Sequence, residues 1–353
     1  MNSDNQDTTD SGDLLPWEPH GLIRSVTKHD ADLSRGFLRS RPERWVPSLS
    51  LQWMPLFHSL GIDIRVVEVK PVSVPPNIAT PSIMLALGDK YLVLVADKLS
   101  KSRFTEALSP DCDSKAGEVF LEYLGRRLLG SLAISWGDQE QEKIRIFSGI
   151  DSSSNDYGGA IKISIVINGK QVVLWLMLSP SLVDMLDNLW RKQLHSTFKN
   201  NSTKDGLGSL FTGEDLVSIE IAQLAVPPAV LPEYTKSGQA VDLDVLITDT
   251  VVLRLNENVW VGARICDVEG NLGCEILPTV PSSTTFPDGF ARLSVVFGSI
   301  QCDTSLLAEL SQPGSIYDTG IQLGDSVGLM VNGEKVGSGI LRCYKGRFAL
   351  EVE

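Results

Sequence analysis

The chain has 353 residues, 42% of them apolar and 21% charged, the balance of a folded protein with room for two or three domains. Its formal net charge of -13 argues against a broad basic face of the kind that holds nucleic acid or anionic lipid. No apolar run approaches the ~18 residues that a membrane-crossing helix needs; the longest candidate lies at Val172 to Leu178.

Residues 1–16 hold four Asp and no Lys or Arg, so they bury too little apolar surface to offset the entropy of ordering and are expected to be disordered. They lack the basic-then-apolar pattern of a secretory signal, which makes the cytosol the expected address. Arg24, Lys28, Arg35, Arg39, Arg41 and Arg44 form a local basic stretch, expected to be solvated or partner-facing. Residues 20–60 alternate basic and apolar positions around Trp45, Trp53 and Phe57, the expected helical entry to a first domain.

Strands are expected from Ile62 onward. Ile83–Leu87 and Tyr91–Val95 flank Gly88-Asp89-Lys90 as a hairpin. Residues 115–135 have helical periodicity, with Val119, Phe120, Tyr123, Leu124, Leu128 and Leu129 on one face. Ile144–Phe147 is a further strand. Ile161–Ile167 and Val172–Met177 are joined around Asn168-Gly169, a pair suited to the two positive φ angles of a type I′ turn. An amphipathic helix over 181–198 follows, and the polar, Gly-bearing stretch 199–212 is expected to be a linker. The expected layout is a disordered or partly helical tail (1–44), an α+β domain (45–205) and two β modules (206–280 and 290–353).

Residues 217–277 and 293–353 repeat each other at a constant offset of 76 without a gap. Ser218/Ser294, Leu231/Leu307, Glu233/Glu309, Gly238/Gly314, Asp242/Asp318, Asn256/Asn332 and Gly270/Gly346 are among the identical pairs. An offset held through strands and turns marks one structural unit used twice. Each copy reads as a strand, a short helical or turn region and a three-stranded meander. A unit of roughly 60 residues has a marginal core by itself, so the two copies are expected to bury their apolar faces against each other. Asn332-Gly333 and Gly346 are the candidate turn residues. Trp260 and Tyr344 are candidate surface anchors for a protein partner, with core burial the competing reading for each.

The run Ile321-Gln-Leu-Gly-Asp325-Ser-Val327 through Asn332-Gly333, Gly337 and Gly339, closed by Gly346-Arg347-Phe348-Ala-Leu-Glu-Val352, resembles a SpoA domain. The first copy is a degenerate version, with Asn256-Glu257 in place of Asn-Gly and Thr248-Asp249 in place of Gly-Asp. Two tandem copies behind a divergent N-terminal domain resemble the cytoplasmic ring proteins of type III secretion systems (SctQ, YscQ or HrcQ). The resemblance implies an α+β N-terminal domain followed by two mostly-β SpoA domains that pair as an intertwined, small barrel-like dimer. It implies a scaffold of the sorting platform at the cytoplasmic face of the inner-membrane apparatus. Its repeat pair would bind the stator of the export ATPase (SctL-like), and its N-terminal domain the platform adaptor (SctK-like). It also implies homo-oligomeric assembly and association with a C-terminal fragment of the same chain made from an internal start; Met177 and Met185 precede the repeats. An acidic rim around apolar anchors would favour basic partner segments.

Flagellar switch proteins and chemotaxis phosphatases are related by the same resemblance and give the rival reading, a motor switch or signalling component. The phosphatases need Glu and Asn three apart on a helix; residues 115–135 supply Glu118 and Glu122 but no Asn. No P-loop, dinucleotide fingerprint, nucleophile elbow or H-E-x-x-H motif occurs, so no catalytic residue, metal or cofactor is expected. His195, near the end of a helix, is expected to cap it or face solvent. Asp242, Asp244 and Asp249 are expected to serve turns rather than a cation. The five cysteines, Cys112, Cys266, Cys274, Cys302 and Cys343, lack C-x-x-C spacing and are expected to be reduced thiols.

Overall fold

The computed structural model describes residues 14–18, 23–40, 54–78, 81–87, 90–108, 114–136, 144–151, 156–204, 215–247, 250–256, 258–279 and 286–353. It is mostly β, with antiparallel sheets and some helices. The chain forms two compact units, Met1–Arg35 with Lys192–Glu353, and Gly36–Arg191. The second unit is thus an insertion in the sequence of the first.

The discontinuous unit opens with β1 (Leu15–Pro16), β2 (Ser25–Val26) and α1 (Lys28–Ser34). Residues 1–13 of the expected disordered tail lie outside the described residues. Leu15 and Pro16 do not continue that tail; they pair with a strand of the second repeat. Thr27 starts α1, its Oγ1 accepting from the Asp30 N–H at 3.0 Å, a side-chain cap that satisfies one otherwise unpaired helix-start donor.

The inserted unit opens with a 3-10 turn at Phe37–Arg39. In chain order it holds α2 (Met54–Ser59), β3 (Ile64–Val72), β4 (Pro81–Leu87), β5 (Lys90–Ala96), α3 (Lys98–Leu108), α4 (Ser114–Trp136), β6 (Ile144–Asp151), β7 (Gly159–Ile167) and β8 (Lys170–Leu178). The strands form one sheet in the order β3-β7-β8-β5-β4-β6. Residues 88–89 of the β4–β5 turn lie outside the described residues. Between β7 and β8, Asn168 and Gly169 have φ of 48° and 78°.

Helices α3 and α4 pack on this sheet through β8 and β4. The expected single apolar face of α4 is split: Leu124 and Leu129 are buried, whereas Val119 and Tyr123 are exposed. The Tyr123 ring instead stacks on Phe120 and carries the Arg127 guanidinium, so the helix shows an aromatic–cation strip to solvent.

Helix α5 (Pro180–Lys204) contains the boundary between the units, at Arg191/Lys192. It runs through Lys199–Lys204, residues expected to be linker. Asn200, Asn201 and Ser202 only weaken a helix; the first breaker, Gly206, comes later.

The two repeats then match element for element. The first has β9 (Asp215–Val226), α6 (Leu231–Tyr234), β10 (Ala240–Leu246), β11 (Thr250–Leu255), β12 (Asn258–Val268) and β13 (Asn271–Ile276). The second has β14 (Ala291–Cys302), α7 (Thr304–Leu310), β15 (Ile316–Gln322), β16 (Val327–Val331), β17 (Glu334–Tyr344) and β18 (Arg347–Val352). Each copy therefore carries one strand more than its pattern suggested, β10 and β15, in the stretch read as helix or turn.

Those two extra strands are exchanged. The sheet order is β10-β18-β17-β16-β14-β9-β11-β12-β13-β15. Strand β10 of the first copy completes the second by pairing with β18, as Ala240↔Glu351 and Leu246↔Arg347. Strand β15 of the second completes the first by pairing with β13, as Ile316↔Glu275 and Gln322↔Asn271. At the centre β9 and β14 run antiparallel, with Ala222↔Val295 and Ile219↔Gly298 related by the repeat. A shared core follows, in which Val217, Ile219, Leu253 and Leu272 of one copy cluster with Leu293, Val295, Leu329 and Leu350 of the other.

Candidate docking surface on the repeat pair

The local geometry of the pair is duplicated down to single hydrogen bonds. The Asn256 side chain accepts from the Leu216 N–H at 3.2 Å, and the Asn332 side chain from the Arg292 N–H at 2.8 Å. Asn332 and Gly333 have φ of 50° and 90° in the β16–β17 turn; Lys345 and Gly346 have 50° and 80° in the β17–β18 turn. Glycine at the second turn position accepts that left-handed backbone without strain. Asp242 Oδ1 accepts from the Asp244 N–H at 2.8 Å and Asp318 Oδ1 from the Gly320 N–H at 2.9 Å, so both repeated carboxylates serve backbone turns. Asp249 lies outside the described residues. Arg347 of the closing strand pairs with Asp244 of the exchanged strand β10.

The candidate anchors lie apart in the ladder. Trp260 sits on β12, half-buried and packed against the shared core. Tyr344 ends β17, also half-buried, with Lys345 Nζ 4.5 Å from its ring centroid and donating to its hydroxyl. No pairing or ring contact among the described residues joins the two.

A groove of about 470 Å³ lies over the central strands β9 and β14. It is lined by Ser218, Glu220, Arg254, Arg292, Ser294 and Lys335, among others. Its charged lining among the described residues is three cations and one carboxylate, and neither Trp260 nor Tyr344 lines it. Total charge does not fix local charge. Inside it Arg254 Nε donates to Glu220 Oε2 at 2.9 Å, both side chains being buried.

The pair's duplicated symmetry is broken by residues 14–18 and 23–35, a strap that sequence reading missed. Strand β1 pairs antiparallel with β17 at Leu15↔Cys343 and Pro16↔Arg342. Strand β2 pairs parallel with β12 at Asp267↔Ser25 and Val268↔Val26. The two seats are equivalent: β11 leaves β12 after Arg264 and β16 leaves β17 after Gly339, so each long strand has an overhang that the strap fills.

Between these seats Trp17 is buried with its ring 5.8 Å from Phe297 and 5.4 Å from Phe348. Trp17 was detectable as the one aromatic residue in an acidic stretch, preceded by Leu14-Leu15-Pro16. Helix α1 then lies on β15, where Val26 and Ala31 cluster with Cys266, Val268 and Ile316.

Polar contacts close the strap. The Lys28 N–H donates to Glu269 Oε1 at 2.9 Å, where the second copy has Lys345. The Ile316 N–H donates to Ser34 Oγ at 2.8 Å. Arg35 reaches buried Glu309 at 3.3 Å and lies 5.4 Å from the Tyr317 ring centroid. His195 pairs with the same carboxylate at 3.0 Å. His195 is thus neither a helix cap nor a solvent group; it meets α7 from a distant part of the sequence, which helix periodicity cannot show.

Cys266, Cys274, Cys302 and Cys343 are free thiols. Burial pushes Cys266 up to about 12 and Cys302 up to about 11, and raises Cys274 further. Burial likewise raises the Tyr317 hydroxyl. Thiols held protonated are poor nucleophiles and poor metal ligands. Among the described residues no group of three His, Cys, Asp or Glu is placed to hold a metal ion, and no helix is long and apolar enough to cross a membrane.

No protein-family model matches the sequence, and no curated protein is significantly similar to it. Solved structures are similar in part, two of them as follows. The FliM middle domain from H. pylori is 13% identical, covering 46% of this chain and 99% of that one, with a TM-score of 0.31. The CheX–CheY complex with BeF3 and Mg from Borrelia burgdorferi is 13% identical, covering 42% and 94%, with a TM-score of 0.24. Both scores are too low to bear on function.

Proposed function

We propose that this protein is a non-enzymatic scaffold of the cytoplasmic sorting platform of a bacterial type III secretion system. In this reading the repeat pair docks the N-terminal segment of the ATPase stator, and the inserted unit contacts the adaptor of the inner-membrane ring. The observation that carries it is the gapless duplication with a SpoA-like motif in the second copy, together with strand exchange between the copies. Two marginal modules that complete each other form one rigid sheet, and rigidity lowers the ordering cost of binding a flexible segment. A pair of identical-sized halves also supplies two similar but unequal surfaces, suited to holding different partners in one assembly.

The test is deletion and complementation in the source bacterium, read by secretion of type III substrates and by motility. Loss of secretion with intact motility supports the scaffold reading. Loss of motility with intact secretion supports the rival motor-switch reading. In vitro, full-length protein titrated with the stator's N-terminal peptide is expected to bind at micromolar concentration; absence of binding at high micromolar concentration counts against the stator role.

A further inference from the structure

Ser294 lines the groove over β9 and β14 yet is only 2% exposed, and its Oγ has no hydrogen-bond partner among the described residues. A hydroxyl taken out of water without a partner destabilises the fold. A ligand that accepts its hydrogen bond removes that penalty.

Strand register sets what surrounds this hydroxyl. Lys335 on β17 faces Met330 on β16, Met330 faces Ser294 on β14, and Ser294 faces Gln223 on β9. Residues directly opposite share one face of a sheet, so these four form a row. Two strand spacings, about 10 Å between Cα atoms, separate Lys335 from Ser294. Arg292 lies two positions before Ser294 on β14, on the same face and about 7 Å away. The lining carboxylate is already engaged: Glu220 Oε2 accepts from Arg254 Nε at 2.9 Å and from Gln223 Nε2 at 2.8 Å. No second carboxylate lines the groove among the described residues. Nor does the backbone require the two cations of this pole. One repeat earlier their positions hold Leu216 and Val259, whereas Ser218 repeats the hydroxyl.

We propose that the groove binds a small organic oxyanion, a carboxylate or a phosphate monoester carried on an apolar body. The anionic head sits at Ser294, accepts its hydroxyl, and lies between Arg292 and Lys335. Hydrogen bonds to an ionised acceptor are about twice as strong as neutral ones. The body lies along Val296 and Met330, which also line the groove. A volume of about 470 Å³ falls in the range of small-molecule sites and exceeds what an inorganic ion fills. Arg254 and Glu220 come from the first repeat, Ser294, Met330 and Lys335 from the second, so the ligand bridges both copies and a lone copy has no such site.

Of the six methionines in the chain, Met330 lines the groove. Full-length protein labelled at its methionine methyl groups therefore carries a reporter in the site, assigned with Met330→Leu, and internal references elsewhere. The probes are phenyl phosphate and phenylacetate, with phenethylamine as a cationic control of similar body. At least one anion is expected to shift the Met330 resonance saturably at millimolar concentration, while the reference methyls stay in place and the amine has no effect. A response to one anion alone supports the site and names its head group. Ser294→Ala should weaken binding several-fold, and it removes no hydrogen bond from the fold. Lys335→Gln, at an exposed position, should weaken it several-fold as well. The site is overturned if neither anion gives a saturable Met330 shift, if the amine shifts it equally, or if both variants bind as the unaltered protein does.

Discussion

Arg254 and Glu220 form a buried ion pair at positions that, one repeat later, hold Met330 and Val296. The same backbone site therefore accepts either two charges or two apolar groups. Removing one partner leaves the other charge desolvated, which costs about 3–5 kcal/mol. Replacing both with the apolar pair already used by the second copy should be neutral or stabilising. We expect Glu220→Ala to lower the denaturation midpoint steeply, and Glu220→Val with Arg254→Met to restore it. Chemical denaturation of the three proteins measures both. A double variant as unstable as the single one would show that the charges have a role beyond their mutual pairing.

Asp187 ties together the two ends of the inserted unit. Its Oδ1 accepts from the Phe37 N–H at 2.6 Å and its Oδ2 from Arg191 Nε at 2.7 Å. A hydrogen bond to a charged group contributes about 1.5–3 kcal/mol. Asp187→Ala should destabilise by about that amount, and Asp187→Asn by less, since it keeps an acceptor for the backbone. A Cβ at Gly36 would lie 2.2 Å from Asp187 Oδ1, so Gly36→Ala should displace the carboxylate and match Asp187→Ala. Thermal melts of the three variants decide this.

Gly333 has a φ of 90° in the β16–β17 turn, a backbone angle that a β-branched side chain resists. Gly333→Val is expected to cost about 1–3 kcal/mol. The melting temperature should fall by several degrees. Gly333→Asn should cost less, because Asn tolerates a left-handed backbone better.

Buried thiols give the fold an alkaline limit. A cysteine in the unfolded chain ionises near ~8.5, whereas burial holds Cys302 up to about 11 and Cys266 up to about 12. Above the unfolded value the native state keeps protons that the unfolded state has lost. The stability derivative with pH is therefore negative. The thiol contribution is complete below about 8.5 and declines as pH rises toward 11–12. Each such thiol should remove roughly 1–2 kcal/mol by pH 10. Denaturation between pH 8 and 10 should show the decline, and Cys266→Ala with Cys302→Ala should make it shallower, the remainder belonging to Cys274.

What the sequence revealed and what it hid divide along the range of the contacts involved. The repeat was legible because its offset is constant, and the hairpins because Asn168-Gly169 and Lys345-Gly346 mark their own turns. Strand β10 carries a local signal, the alternation Val241-Asp242-Leu243-Asp244-Val245, but its place was not legible, because its partner is β18 of the opposite copy; β15, interrupted by Asp318-Thr319-Gly320, likewise pairs with β13 of the opposite copy. Helix α3 was hidden by its polarity, for only Leu99, Phe104, Ala107 and Leu108 in it are apolar. The strap was hidden by its acidic setting. Trp17 meets Phe297 and Phe348 only in the finished fold, and no local pattern links them.

That separation governs how the molecule is made. Trp17 leaves the ribosome some three hundred residues before the rings that enclose it. At ~5–20 residues per second its pocket is completed roughly 15–70 s later. During that interval the inserted unit has all of its own chain and can fold, while the strap waits as an uncovered aromatic segment. The middle of this protein can thus be folded before the unit built from both of its flanks, and the newborn strap is the segment with the longest exposure to chaperones.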